Sequence, residues 1–202
     1  MALACIAIIL GSAHLLTAKP LDCEPLAPET MDNATMTKLL GKWFYIGGAS
    51  QHPPTLQEMK LIKNAYFFLY PSSLQDEFLV TEVMKLKDKC VVNNSSYISV
   101  IRDNFTMILH GPNESSVAQL IKSSSGDTMT LYHIDGTYKG LSISARTQNL
   151  TTEQLEEFET QMACLGLKEE ETVYTSVKDL CPMEEETDDK KHSVEVVEPS
   201  LG

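Results

Sequence analysis

Five histidines, five cysteines and 28 acidic side chains are the groups in this 202-residue chain that could do acid–base, nucleophilic or metal chemistry. Their spacing organises none of it. His14, His52, His110, His133 and His192 stand far apart, and no CxxC or Cys/His cluster has metal-ligand spacing, so neither metal nor cofactor is expected. No serine sits in a nucleophile elbow. Paired carboxylates occur only in runs such as Glu156-Glu157 and Glu184-Glu-Glu186, which read as solvated faces. Gly47-Gly48 lacks the rest of a phosphate-binding loop and reads as a bend in a strand. The chain is therefore expected not to be an enzyme. One carboxylate stands apart. Glu82 falls in the alternating row Phe78, Val80, Glu82, Met84, where a dry, unpaired charge would be costly. Either it faces an open cup in which a cation could meet it, or a slip of parity leaves it on the surface.

Charge narrows the partners. Sixteen Lys+Arg against 28 Asp+Glu leave a net charge of -12, which argues against nucleic acid and against docking on anionic membranes. Like charge also keeps copies apart, so a monomer is expected. Met1 to Ala18 contains no Asp, Glu, Lys or Arg, and its apolar run is too short to span a bilayer. Residues 1–18 read as a secretory signal cut after Ala18, or after Ala13. No later stretch is apolar over about 18 residues, so no membrane anchor is expected. Loss of the signal removes Cys5 and leaves Cys23, Cys90, Cys164 and Cys181, which in an oxidising compartment form two disulfides with three possible connectivities. Sequons at Asn33, Asn93, Asn94, Asn104, Asn113 and Asn149 point to secretion independently. The adjacent Asn93 and Asn94 compete for one glycan.

These residues need elements to position them. Apolar content of 43% and charged content of 22% suit one globular domain, expected over residues 19–181. After a Pro-punctuated lead-in, strands are expected at 43–49, 61–70, 77–86, 90–101, 105–110, 117–121, 128–134 and 138–145. Turn signals and hairpin-length loops separate them, which indicates an antiparallel sandwich or barrel. The period then changes. Thr151-Thr-Glu-Gln154 is a capping box, Leu155, Phe158, Met162 and Leu165 share a helical face, and Gly166 ends it. A ninth short strand is expected at 172–177, and residues 182–202 read as an acidic, disordered tail.

Gly41-Lys42-Trp43, opening the first strand after a short helical turn, resembles the Gly-x-Trp signature of the lipocalins. Arg146, between the eighth strand and the helix, matches that family's third block. The middle block stands here as Asp127-Thr-Met, which makes the chain an outlying member. The resemblance implies an all-β fold, an eight-stranded antiparallel up-and-down barrel with one C-terminal α-helix packed on its wall. Such a barrel is just wide enough for one small ligand. It also implies that Arg146 lies over the Trp43 indole and, with Gly41, closes the barrel floor.

Within that family, Gly41-Lys-Trp-Phe-Tyr-Ile46, the Asn33 sequon, Asp88-Lys-Cys90-Val-Val-Asn93, Gly140-Leu-Ser142 and the 151–158 segment resemble a glycosylated, two-disulfide branch. That likeness implies the bonds Cys23–Cys164 and Cys90–Cys181. A lipid-carrying branch shares the Gly-x-Trp neighbourhood and the strand lengths, and is the nearest rival. The family's strand parity implies a cavity lined by Tyr45, Ala65, Phe67, Leu69, Phe78, Val80, Glu82, Met84, Ile98, Val100, Met107, Leu109, Leu131, His133, Ser142 and Ser144. Among these, Tyr45, Phe67, Leu69, Phe78, Val80, Glu82, Met84, Met107, Leu109, Leu131, His133 and Ser144 are the expected ligand contacts. Leu109 and Ser144 replace an arginine and a tyrosine of the glycosylated branch's pocket, which argues against acidic ligands. The function implied is a secreted carrier of small lipophilic molecules, basic ones among the candidates, in plasma or extracellular fluid, with an acute-phase, immunomodulatory side. A lipid carrier, or a glycoprotein acting through its glycans without a dedicated cargo, is the alternative.

Overall fold

The computed structural model describes Cys23, residues 26–112 and 115–176, Lys178 and residues 180–182. The expected signal, Asn113, Val177 and nearly all of the acidic tail lie outside the described residues. Along the chain run α1 (Asn33–Leu39), β1 (Gly41–Ser50), α2 (Pro53–Met59), β2 (Ile62–Pro71), β3 (Glu77–Leu86) and β4 (Lys89–Ile101). They are followed by β5 (Thr106–His110), β6 (Ser115–Ile121), β7 (Thr128–Asp135), β8 (Tyr138–Ala145), α3 (Thr152–Leu165) and β9 (Thr172–Tyr174).

Strands β2 to β8 pair antiparallel in chain order, β8 pairs with β1, and β1 returns to β2 to close an up-and-down barrel. Closure leaves the eight strands no free edge along the seam. β1 serves both sides of that seam. Gly41 to Tyr45 pair with β2, while Gly47 to Ala49 take β9 where β2 has diverged. A bulge against β8 between Tyr45 and Gly47 makes the bend expected at Gly47-Gly48. Glycine is required there because a Cβ on Gly47 would lie 2.5 Å from the Val173 carbonyl oxygen.

One expected connection differs. The link from β1 to β2 is not a hairpin turn but contains α2, which starts on Pro53-Pro54. A proline in the first helical turn costs nothing, because that N–H has no partner within the helix. The ninth strand is also shorter than expected, ending at Tyr174.

The second core layer lies outside the barrel. Thr151 and Gln154 form the capping box of α3, and Gly166 at φ 72° ends it. Phe158, Met162 and Leu165 pack on Leu141 and Ile143, the outward residues of β8. This explains the unusual alternation of β8, whose apolar side chains point out to the helix while Ser142 and Ser144 point inward. Leu155, expected on the buried face, is only half-buried, and Gln161 is buried instead. Position 161 completes the i, i+3, i+4, i+7 stripe with 158, 162 and 165.

Two disulfides strap the ends of the chain to this frame. Cys23 joins Cys164 at the end of α3, with Cα atoms 5.5 Å apart. Cys90 on β4 joins Cys181, Cα to Cα 5.7 Å. The Tyr66 hydroxyl also donates to the Cys181 carbonyl at 2.9 Å, fixing the C-terminal segment on the outer face of β2.

Candidate ligand-binding site

The floor is built first. Trp43 is almost fully buried and its Nε1 donates to the Leu39 carbonyl at 2.8 Å. The Arg146 guanidinium stacks on the indole with Cζ 3.6 Å from the ring centroid. Its Nη1 donates to the Lys42 carbonyl at 2.7 Å, and its Nη2 to those of Lys38 and Leu40. These include carbonyls at the end of α1 that have no partner within that helix. Gly41, at φ 94°, carries the chain between them. Beneath the cavity Trp43 packs with Met31, Leu39, Phe78, Val100 and Leu120.

Above the floor the barrel encloses a cavity of about 320 Å3, at the lower end of the roughly 300–1,000 Å3 usual for small-molecule sites. Tyr45, Ala65, Phe67, Leu69, Val80, Glu82, Met84, Ile98, Met107, Leu109, Leu131, His133, Ser142 and Ser144 all line it. Phe78 does not. It faces inward as its parity requires, but one layer too low, in the floor cluster, and Val100 shares that layer. Parity along a strand decides which face a residue takes and says nothing about its height on the barrel axis.

Further lining residues come from segments whose role the sequence does not display. Thr55 and Met59 reach in from α2, at the end of β1 away from Trp43. Ser116 and Ala118 of β6 and Met129 of β7 add to the wall, as do Ala49, Ser50, Ile62 and Gly140. The β6 and β7 residues follow from the same alternation that places Leu131. The α2 residues carry no such signal.

The polar groups are few and placed on opposite walls. Glu82 on β3 lies in register between Phe67 of β2 and Asn93 of β4. Asn93 Nδ2 donates to Glu82 Oε2 at 2.9 Å and to Ser96 Oγ at 2.7 Å. Loss of water around the carboxylate raises its pKa above the ordinary value, and the bonds from Asn93 and Ser96 partly oppose that rise. No Lys or Arg is among the residues that line the cavity. A bound ammonium would supply the counter-charge that the wall lacks.

Across the barrel, His133 meets the Ser142 hydroxyl at 2.7 Å from Nε2. Burial pushes its imidazole down to about 4, so at neutral pH it is an uncharged hydrogen-bonding group. Burial likewise raises the Tyr45 phenol, which keeps its proton. The wall therefore offers one carboxyl group and several neutral polar groups in an apolar cup.

A closed up-and-down barrel with an arginine-capped tryptophan floor and an apolar cup defines a lipocalin, and this chain belongs to that family. Residues 40–179 match the Lipocalin / cytosolic fatty-acid binding protein family. Alpha-1-acid glycoprotein of Bos taurus is 34% identical over 198 residues, covering 95% of this chain and 96% of that protein. The alpha-1-acid glycoprotein of Oryctolagus cuniculus is 31% identical over 195 residues, with the same 95% and 96% covered. Among solved structures, lipocalin 12 from rat epididymis superposes with a TM-score of 0.61 at 15% identity, over 80% of this chain and 94% of that one. The bovine lipocalin allergen Bos d 2 gives 0.57 at 18% identity, over 72% and 97%. These two share the fold. As a lipocalin, the chain is a small-ligand-binding protein.

Proposed function

We propose that this protein is a secreted, N-glycosylated lipocalin that carries small lipophilic molecules, cationic ones by preference, through extracellular fluid as a monomer without catalysing a reaction. The observation that carries the reading is Glu82, a desolvated carboxylate in an apolar cavity that holds no cationic side chain. Burying ~200–300 Å2 of ligand surface at about 25 cal/mol per Å2 offers roughly 5–7 kcal/mol before the costs of association.

Secretion rests on the apolar leader at 1–18, the two disulfides and the sequons. Asn33, Asn94, Asn104 and Asn149 are exposed, as glycan acceptors must be. No helix among the described residues is long and apolar enough to cross a membrane. The alpha-1-acid glycoprotein relatives support the same reading. The test is fluorescence titration of the secreted protein with a lipophilic amine and its neutral isostere. The amine should bind about tenfold tighter, the equivalent of ~1.4 kcal/mol. Equal affinities remove the cationic preference. Failure of both to bind shifts the weight to recognition through the glycans.

A further inference from the structure

The tandem sequon on β4 sits at a break in the strand's regular register. Val80 pairs with Ser96 and Glu82 pairs with Asn93, so two steps on β3 correspond to three on β4. Asn94 and Ser95 together face the single residue Thr81, and the strand bulges there. In a regular strand, residues 93 and 96 would point to opposite faces. The extra residue lets both point at Glu82 and turns Asn94 and Ser95 outward. Exposure follows that division: Asn94 and Ser95 are exposed, Asn93 is half-buried and Ser96 is buried.

The amide of Asn93 is fully engaged. Its Nδ2 spends its two protons on Glu82 Oε2 at 2.9 Å and Ser96 Oγ at 2.7 Å. Its Oδ1 accepts from the Ser95 backbone N–H at 3.1 Å and the Ser95 hydroxyl at 2.9 Å. Nδ2 is the atom to which an N-glycan is joined. A sugar there would replace one of the two donated protons and would need room between Glu82 and the buried Ser96. Glycan transfer acts on the unfolded chain, so the fold selects by which product it can accommodate. A chain glycosylated at Asn94 folds with the sugar in solvent.

We infer that Asn94 carries the glycan of this tandem sequon and that Asn93 stays bare, its amide held on the cavity-lining Glu82. The inference rests on the secretory reading above, since the transfer machinery acts on chains that enter the secretory pathway. It is tested on the full-length chain secreted from mammalian cells. Peptide N-glycosidase F in heavy-oxygen water converts each glycan-bearing asparagine to a labelled aspartate, and peptide sequencing locates the label. Label at position 94 and not at 93 is expected. Label at 93 overturns the inference, as does label at neither while other sequons carry it. A secreted chain bare at every sequon overturns its N-glycosylation and this inference with it, whereas a chain that never reaches the medium overturns the secretory reading itself. Intact mass gives a second readout: Asn94→Gln should lose one glycan and Asn93→Ala none, and the reverse pattern overturns the assignment.

Discussion

The Arg146 guanidinium lies flat over the Trp43 indole, Cζ 3.6 Å from the ring centroid, while its nitrogens donate to carbonyls at and beyond the end of α1. One side chain thus closes the barrel floor, joins β8 to β1 and ends a helix. The indole and the guanidinium need each other. Without Arg146 the helix-end carbonyls lose their donors, and without Trp43 the floor cluster has a void.

Trp43→Ala should cost about 3–5 kcal/mol of stability, and Arg146→Ala about 1–3 kcal/mol from lost charged hydrogen bonds. Arg146→Lys should not rescue, because an ammonium can neither stack as a plane nor reach three carbonyls. Urea denaturation measures all three. If Trp43→Ala unfolded at the wild-type urea concentration yet no longer bound ligand, the indole would be a ligand contact.

Glu82→Gln should erase the roughly tenfold amine preference while leaving neutral ligands nearly untouched, since shape and apolar area are preserved. Titrating the amine and its isostere against both proteins checks it. A preference that survives the substitution would place the ammonium elsewhere.

The amine preference should also depend on pH in a defined direction. It is present while Glu82 is ionised and is lost as pH falls through a pKa lying above the ordinary carboxylate value. The other titratable side chains that face the cavity, Tyr45 and His133, are uncharged at neutral pH. Asn93→Ala removes a hydrogen bond that favours the charged form, so the midpoint of this loss should move to higher pH. A midpoint that stays put would show that Asn93 does not hold the carboxylate.

His133 predicts the acid limb of stability. Its native pKa of about 4 lies below the ordinary 6.5, so between those values the unfolded chain binds a proton that the native one refuses. The stability His133 contributes by staying neutral is therefore present above that window and lost as pH falls through it. His133→Gln should flatten the corresponding fall in Tm, read by circular dichroism. An unchanged slope would assign the acid loss to the carboxylates.

Paired Cys90→Ser and Cys181→Ser substitutions should cost about 2–5 kcal/mol and free the C-terminal segment. Limited proteolysis should then cut near Cys181 at low protease. The Tyr66 hydroxyl bond to the Cys181 carbonyl is too weak to hold the segment alone.

The element order was legible in the sequence because each signal is local. Alternation marks β3 and β8, the Thr151–Gln154 capping box starts α3 and Gly166 stops it, and none of these depends on a distant partner. Parity also told which residues of each strand share a face, since that too is set by neighbours two residues away, while the resemblance supplied which face looks inward. Closure, depth and exceptions belonged to the tertiary structure. Phe78 and Val80 are equivalent in pattern, yet the first packs in the floor and the second lines the cavity, because height is decided by the stagger of β3 against its partners. Pro53-Pro54 reads equally as a turn or a helix start, and the sequence carries no local signal that brings Thr55 and Met59 to the cavity. Asn93 and Asn94 are the sharpest case. As neighbours with the same motif they are indistinguishable in sequence, and only the bulge opposite Thr81 turns one amide onto Glu82 and the other to solvent. A bulge is a property of two strands read against each other, and no single strand contains it.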